Sequence, residues 1–236
     1  MRQKTNITYF SFTSTPTAKA LQMFGITRRN VKQPFHTYSI AEAIRDGHIC
    51  NPLTNYTTVS TKAMVRMKAN SGDSTLHRAN ISRAIQHVTR AAASSKELIR
   101  SRAEFIVKHF VEEIRKKKKT DIFDPKAMVV ASSRLSILRY KEVLEEIIAT
   151  LPADEQFEVV AAFTPFVHEN TCHYEEDVNT QYGVHFLREF QTAGSSVQMI
   201  VVHSKFLIGF DEPLLHTMYV TSEIHAKQIN NIVIGI

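Results

Sequence analysis

Ile200-Val201-Val202-His203-Ser204-Lys205-Phe206-Leu207-Ile208-Gly209-Phe210-Asp211-Glu212-Pro213 runs directly into Leu214-Leu215-His216-Thr217-Met218-Tyr219-Val220. The first residues read as a buried strand running into a loop. Gly209, the carboxylates Asp211 and Glu212, and the chain-stopping Pro213 form a loop, and a second apolar strand follows. In open α/β sheets the loops at the carboxyl ends of such strands carry the ligand chemistry. The segment therefore points to an α/β protein with its chemistry on one edge of a sheet.

The residues upstream extend the same pattern. After Asp124-Pro125, Ala127-Met128-Val129-Val130-Ala131 is an apolar run of strand length, and Ser132-Ser133-Arg134 is a polar loop at its carboxyl end. A helix over Leu135 to Leu151 follows, with Ile137, Leu138, Val143, Leu144, Ile147 and Ile148 as its apolar stripe. Glu158 to Phe163 reads as the next strand, Thr164 to Thr180 as a polar surface loop, Tyr182 to Phe190 as a helix and Val197 to Val202 as a strand. Strands alternating with helices predict a parallel sheet joined by right-handed crossovers.

Further upstream the period changes. From Leu76 to Lys118 apolar residues recur at helical spacing, Ile81, Ile85 and Val88 on one face and Ile99, Ile106, Phe110 and Ile114 on another. Ser94-Ser95-Lys96-Glu97 offers a capping box and divides the stretch into two helices. Arg115 to Lys119 ends the second, where cations complement the helix dipole or contact phosphate. Ile7 to Pro16 reads as a buried strand closed by Thr13, Ser14 and Thr15, and Thr17 to Gly25 as a short helix stopped by its glycine. Ser39 is the expected N-cap of a helix over Ile40 to Asp46, with a turn at Asp46-Gly47 before the extended run Asn55 to Ser60.

The 236 residues, 43% hydrophobic, suffice for a substantial core. Nothing approaches the ~20 apolar residues of a membrane span, and Met-Arg-Gln-Lys-Thr-Asn lacks the apolar core of a secretory signal, so the expectation is a cytoplasmic protein without a membrane partner. Cys50 and Cys172, too few and too distant for a disulfide framework, fit a reducing compartment. Charge is segregated: residues 1–61 carry a net +5, 62–120 a net +10 and 121–236 a net −9. A basic middle suits a polyanion; equally, helix faces are charged where they meet water.

No Gly-x-x-x-x-Gly-Lys-Ser/Thr phosphate loop occurs among the seven glycines, nor does a strand-terminal Asp-Glu pair to hold magnesium, which argues against an unaided ATPase. His168, Cys172, His173 and His185 are irregularly spaced, and no metal site is expected from them. No serine or cysteine sits in a nucleophile turn. Asp211, just beyond a glycine at the end of a buried strand, either caps its own loop or accepts hydrogen bonds from a ligand.

The Ile200–Val220 segment resembles motif V of superfamily-two helicases in the form carried by the motor (R, or HsdR) subunit of type I restriction enzymes. Tyr9-Phe10-Ser11-Phe12-Thr13-Ser14-Thr15-Pro16-Thr17-Ala18-Lys19 is similar to motif III of those motors. Pro34 to Ser39, Ala43 to Gly47 and Asn55 to Thr58 resemble the link between the two motor lobes. Phe105 to Phe110 and Lys126 to Arg134, with Tyr140-Lys141, resemble the helix before motif IV and motif IV itself.

The resemblance implies a RecA-like parallel sheet with flanking helices, preceded by a helical connector. The implied division is a remnant of the first lobe over 1–34, an inter-lobe link and basic connector over 35–120, a second RecA-like lobe over 121–220 and an atypical tail over 221–236. Thr13, Ser14 and Thr15 would couple nucleotide state to DNA, and Gly209 and Asp211 would face the ATP cleft. Ser132, Ser133, Arg134 and Lys205, with Lys116, Lys117 and Lys118, would meet DNA. Such contacts go to the phosphate backbone and are salt-sensitive.

The parent activity implied is ATP-dependent, magnesium-dependent DNA translocation coupled to cleavage of foreign DNA. Its implied partners are duplex DNA, the modification and specificity subunits and a separately encoded first motor lobe. The chain departs from the family in three respects: it starts at motif III, Ile208 replaces the usual motif V threonine, and motif VI does not follow Val220. A truncated or frame-broken reading frame accounts for both ends, and the chain alone is then expected to hydrolyse nothing and to need no cofactor. The alternative is a non-enzymatic DNA-binding or regulatory module.

Overall fold

Val, Ile, Ala and Met dominate the runs Lys126–Val130, Glu158–Ala162 and Val197–Val202, and such composition favours strands buried on both faces. The computed structural model describes residues 7–13, 16–49, 51, 56–59, 95–116, 124–207 and 210–221. The described residues of Met1–Tyr56 belong to a smaller unit, and those of Thr57–Phe206 and Phe210–Glu223 to a larger one.

In the smaller unit, helix α1 (Ala18–Phe24) is capped by the Thr17 hydroxyl, which accepts from the Ala20 amide, and stops at Gly25. A Cβ on Gly25 would lie 2.5 Å from the Leu21 carbonyl oxygen, so only glycine fits where the chain turns back. Strands β1 (Ile26–Arg28) and β2 (Val31–Gln33) form an antiparallel hairpin whose turn residues, Arg29 and Asn30, both have positive φ. Helix α2 (Ile40–Arg45) has the expected Ser39 cap, completed by Glu42, which accepts from the Ser39 amide at 2.7 Å.

Residues 7–13 correct the sequence reading. They form no strand and are exposed, Phe12 by 94% and Phe10 by 79%. Apolar content alone does not make a buried strand; a ladder partner and a covering layer are also needed, and no described strand pairs with this segment.

The larger unit is built on strands β3 (Lys126–Val130), β4 (Glu158–Ala162), β7 (Val197–Val202) and β8 (Leu215–Val220). They lie in the order β4-β7-β3-β8 and all pair in parallel. Helix α3 (Lys96–His109) continues into a π-helical segment, Phe110–Arg115. Together with α4 (Arg134–Ile148) it covers one face of the sheet. Ile99, Ala103, Ile106 and Phe110 from α3 and its extension enter one core with Val129, Ile137, Val143, Leu144, Val159 and Val201, so α3 shares the core of the sheet. The N-cap of α3 is Ser95, one residue later than expected, and its hydroxyl accepts from the Leu98 amide.

Alternation of side chains along a strand sends Met128, Val160 and Ile200 to the opposite face, where they are equally buried. Helix α6 (Phe186–Gln191) packs against β7 and β4 and buries Phe186 and Phe190. A parallel sheet flanked by helices is the α/β class expected and is consistent with a RecA-like fold.

The interval Thr164–Thr180 differs from the loop expected. It contains an antiparallel hairpin, β5 (Phe166–His168) with β6 (Thr171–His173), and a short helix α5 (Glu175–Val178). Glu169 and Asn170 turn the hairpin with φ of 48° and 63°. A 3₁₀ turn, Gly183–His185, precedes α6, so the helix read from Tyr182 begins four residues later as an α-helix. The face Ile81-Ile85-Val88, Ser60 and the final 15 residues of the chain lie outside the described residues.

Candidate functional site

The sheet order sends the two central connections in opposite directions, each past the other's strand. The chain leaves β3 through α4 toward β4, whereas from β7 it crosses toward β8. The crevice beyond the carboxyl ends of β3 and β7 is thus a topological switch point, where open α/β sheets bind ligands. Two loops of the sequence reading meet there, Ser132-Ser133-Arg134 after β3 and His203-Ser204-Lys205 after β7.

Ser133 has extended backbone (φ −157°, ψ 165°) and caps α4, its hydroxyl accepting from the Ser136 amide at 3.1 Å. Its Oγ lies 2.8 Å from the buried Ser136 Oγ, and Ser132 Oγ lies 3.2 Å from the same atom. Three hydroxyls thus gather at the start of a 15-residue helix, where the orphan amides and the dipole favour negative charge. Arg134 is exposed, with its guanidinium 5.2 Å from the Phe166 ring centroid and 3.4 Å from the Pro165 carbonyl oxygen. Stacking on Phe166 holds the side chain without neutralising it.

The β7 loop is tied to the β3 loop by one hydrogen bond. His203 Nδ1 lies 2.9 Å from the Ala131 carbonyl oxygen; a carbonyl can only accept, so the ring carries its proton there. Lys205 turns back onto α5, its Nζ 2.8 and 2.7 Å from the two oxygens of Glu175. Glu175 Oε1 also accepts from the Phe163 amide at the end of β4. Beside it Asn179 clamps β4 itself, accepting from the Ala161 amide and donating to the Ala161 carbonyl, both at 2.8 Å. None of these partners of the β4 edge was identified from sequence. The only signal was the cluster of carboxylates and an asparagine, which read as loop.

The remaining candidates fall elsewhere. Lys116 pairs with Glu155 at 3.0 Å, and that hydrogen bond raises the Lys116 pKa above its ordinary value. Glu155 precedes β4, so Lys116 belongs to the amino edge of the sheet, a strand length of about 16 Å from the Ser132–Arg134 loop. The fold does not unite Lys116 with Arg134 and Lys205. Lys117, Lys118, Ser14, Thr15 and Gly209 lie outside the described residues, and Thr13 belongs to the smaller unit, where it is exposed.

Asp211 is exposed and makes no hydrogen bond or ion pair among the described residues. Its neighbour Glu212 is buried and accepts from the Leu214 amide at 3.1 Å, so Glu212 caps the loop and leaves Asp211 to solvent. An exposed carboxylate suits a sugar hydroxyl or a metal-bridged phosphate and repels a bare one. Asp211 is thus open to a partner of that kind. Among the described residues no group of three or more His, Cys, Asp or Glu could hold a metal ion, and no helix is long and apolar enough to cross a membrane. His173 instead stacks on Phe166 across the hairpin, with ring centroids 5.1 Å apart.

Fold and site together define an α/β domain whose parallel sheet carries hydroxyls, an arginine and a paired lysine on its carboxyl edge. No protein-family profile matches the chain. Over 135 residues, which are 53% of the chain, it is 26% identical to a protein of Methanocaldococcus jannaschii described as "Putative type I restriction enzyme MjaVIIIP endonuclease subunit". The chain spans 13% of that relative's length. This similarity supports a relation to type I restriction enzymes.

Proposed function

We propose that the larger unit is the second RecA-like lobe of a type I restriction motor, and that its carboxyl edge meets the backbone of duplex DNA. The observation that carries this reading is the convergence of Ser132, Ser133 and Arg134 with the β7 loop at the switch point of a parallel sheet. Hydroxyls and helix amides supply donors to phosphate oxygens, and Arg134 supplies charge. None of these groups reads base edges, so binding is sequence-independent.

The parent activity is ATP-dependent translocation coupled to cleavage, in company with modification and specificity subunits. In that assembly Thr13, Ser14 and Thr15 couple nucleotide state to DNA, and Gly209 and Asp211 face ATP and its magnesium across the motor cleft. The phosphate loop and the magnesium-holding carboxylates of such a motor are not among these 236 residues, which by themselves turn over no ATP.

The test is ATP hydrolysis with duplex DNA, first by the full chain and then with a polypeptide carrying the phosphate loop and magnesium carboxylates of a type I motor. Turnover that appears only in the mixture and disappears with Asp211→Ala is the expected result. DNA-stimulated turnover by the chain alone, or none in the mixture, overturns the motor-lobe reading. A non-enzymatic DNA-binding module is the outcome if DNA binds and the mixture stays silent.

A further inference from the structure

Lys205 is the cation best placed to join Arg134 at the carboxyl edge, yet its charge is already taken. Both oxygens of Glu175 lie within 2.8 Å of its Nζ, in a pair whose side chains are only 33% and 13% exposed. Glu175 is held in turn by the Phe163 amide, at the end of the edge strand, so the carboxylate cannot swing away without freeing that donor. The partly buried pair is screened by salt less than a surface pair would be.

We propose that Glu175 is a built-in competitor for the DNA backbone, holding Lys205 out of the interface until phosphate displaces it. This inference rests on the reading of the carboxyl edge as a DNA interface and adds its regulation. The interface in its resting form then offers Arg134 and hydroxyl donors. Its engaged form gains one cation, Lys205, when Glu175 lets go. The device sets a threshold: a weakly held or single phosphate does not free the lysine, whereas a duplex already seated on Arg134 and the α4 amides presents further phosphates at high local concentration.

The experiment is fluorescence-anisotropy titration of a labelled duplex with the full chain over a range of salt, comparing wild type, Glu175→Gln, Glu175→Asp, and Glu175→Gln in a Lys205→Met background. Gln keeps an oxygen to accept from the Phe163 amide while removing the charge. Glu175→Gln is expected to bind about fivefold tighter at physiological ionic strength, the worth of one accessible ion pair. Its plot of log K against log salt should steepen by about 0.9, one additional phosphate contact. Glu175→Asp, which keeps the charge and shortens the reach, gives a smaller gain in the same direction. The gain vanishes when Lys205 is Met. Equal binding by wild type and Glu175→Gln, or a gain that persists without Lys205, overturns the competitor and leaves the interface standing. Absence of duplex binding by every variant at low salt overturns the interface and the competitor with it.

Discussion

Asn179 does for the outer edge of β4 what another strand would do. Its amide occupies the donor and the acceptor of Ala161 and is itself 3% exposed. Removing it leaves a buried N–H and C=O without partners, which costs about 2 kcal/mol. Asn179→Ala is therefore expected to lower the urea-unfolding free energy by roughly that amount with an unchanged slope; a loss below about 0.5 kcal/mol would mean water replaces the amide. Lys126 shows the same principle at the other end of the sheet. Fully buried, it donates to the Phe190 carbonyl in α6 and the Thr192 and Val197 carbonyls after it, and burial holds its ammonium below the ordinary lysine pKa. The sequence reading placed Lys126 at the edge of a strand and assigned it no role, because a lysine's burial depends on carbonyls 64 to 71 residues away.

Among the elements, the turns explain which parts were legible. Ser39, Thr17 and Gly25 act locally, through hydrogen bonds within four residues, and all three were identified as helix boundaries from sequence. The apolar stripes of α3 and α4 were equally readable, since Ile99, Ile106 and Phe110 or Ile137, Val143 and Leu144 recur at the helical period and are buried. The β5–β6 hairpin was not, because its turn has Glu169 and Asn170 in the left-handed region where Asn-Gly is the recognisable pair. A glutamate there carries a backbone cost of about 1 kcal/mol. The double change Glu169→Asn with Asn170→Gly is expected to raise stability by about 1 kcal/mol in urea titration. A loss instead would mean that the residues hold their turn through contacts of their own. Residues 7–13 failed in the opposite sense: their composition is that of a strand, and a strand exists only where a neighbour pairs with it.

At the scale of the molecule, the charge segregation is resolved in part by packing. The basic helix α3 lies beside α4, with Arg100 paired to Glu146 at 2.8 Å and Lys96 to Glu142 at 4.0 Å, and Lys116 beyond it meets Glu155. Exposed pairs of this kind add little to stability, so their main effect is to weaken the field of the basic segment where they form. Three of the cations that suggested a polyanion partner, Lys96, Arg100 and Lys116, are thus answered within the fold. Among the described residues, Arg134 at the carboxyl edge pairs with no carboxylate and is braced on Phe166. The carboxyl-edge loops could be read from sequence as strand ends; that α5 and Asn179 would seal the β4 side could not, since both depend on the course of a loop.

The carboxyl edge as a DNA-backbone interface is tested most directly by the salt dependence of duplex binding, measured by anisotropy for the full chain and for Arg134→Ala and Lys116→Ala. Arg134→Ala is expected to weaken binding and to reduce the slope of log K against log salt by about 0.9, equally for duplexes of unrelated sequence. A larger loss from Lys116→Ala than from Arg134→Ala, or a loss confined to one duplex sequence, would contradict it.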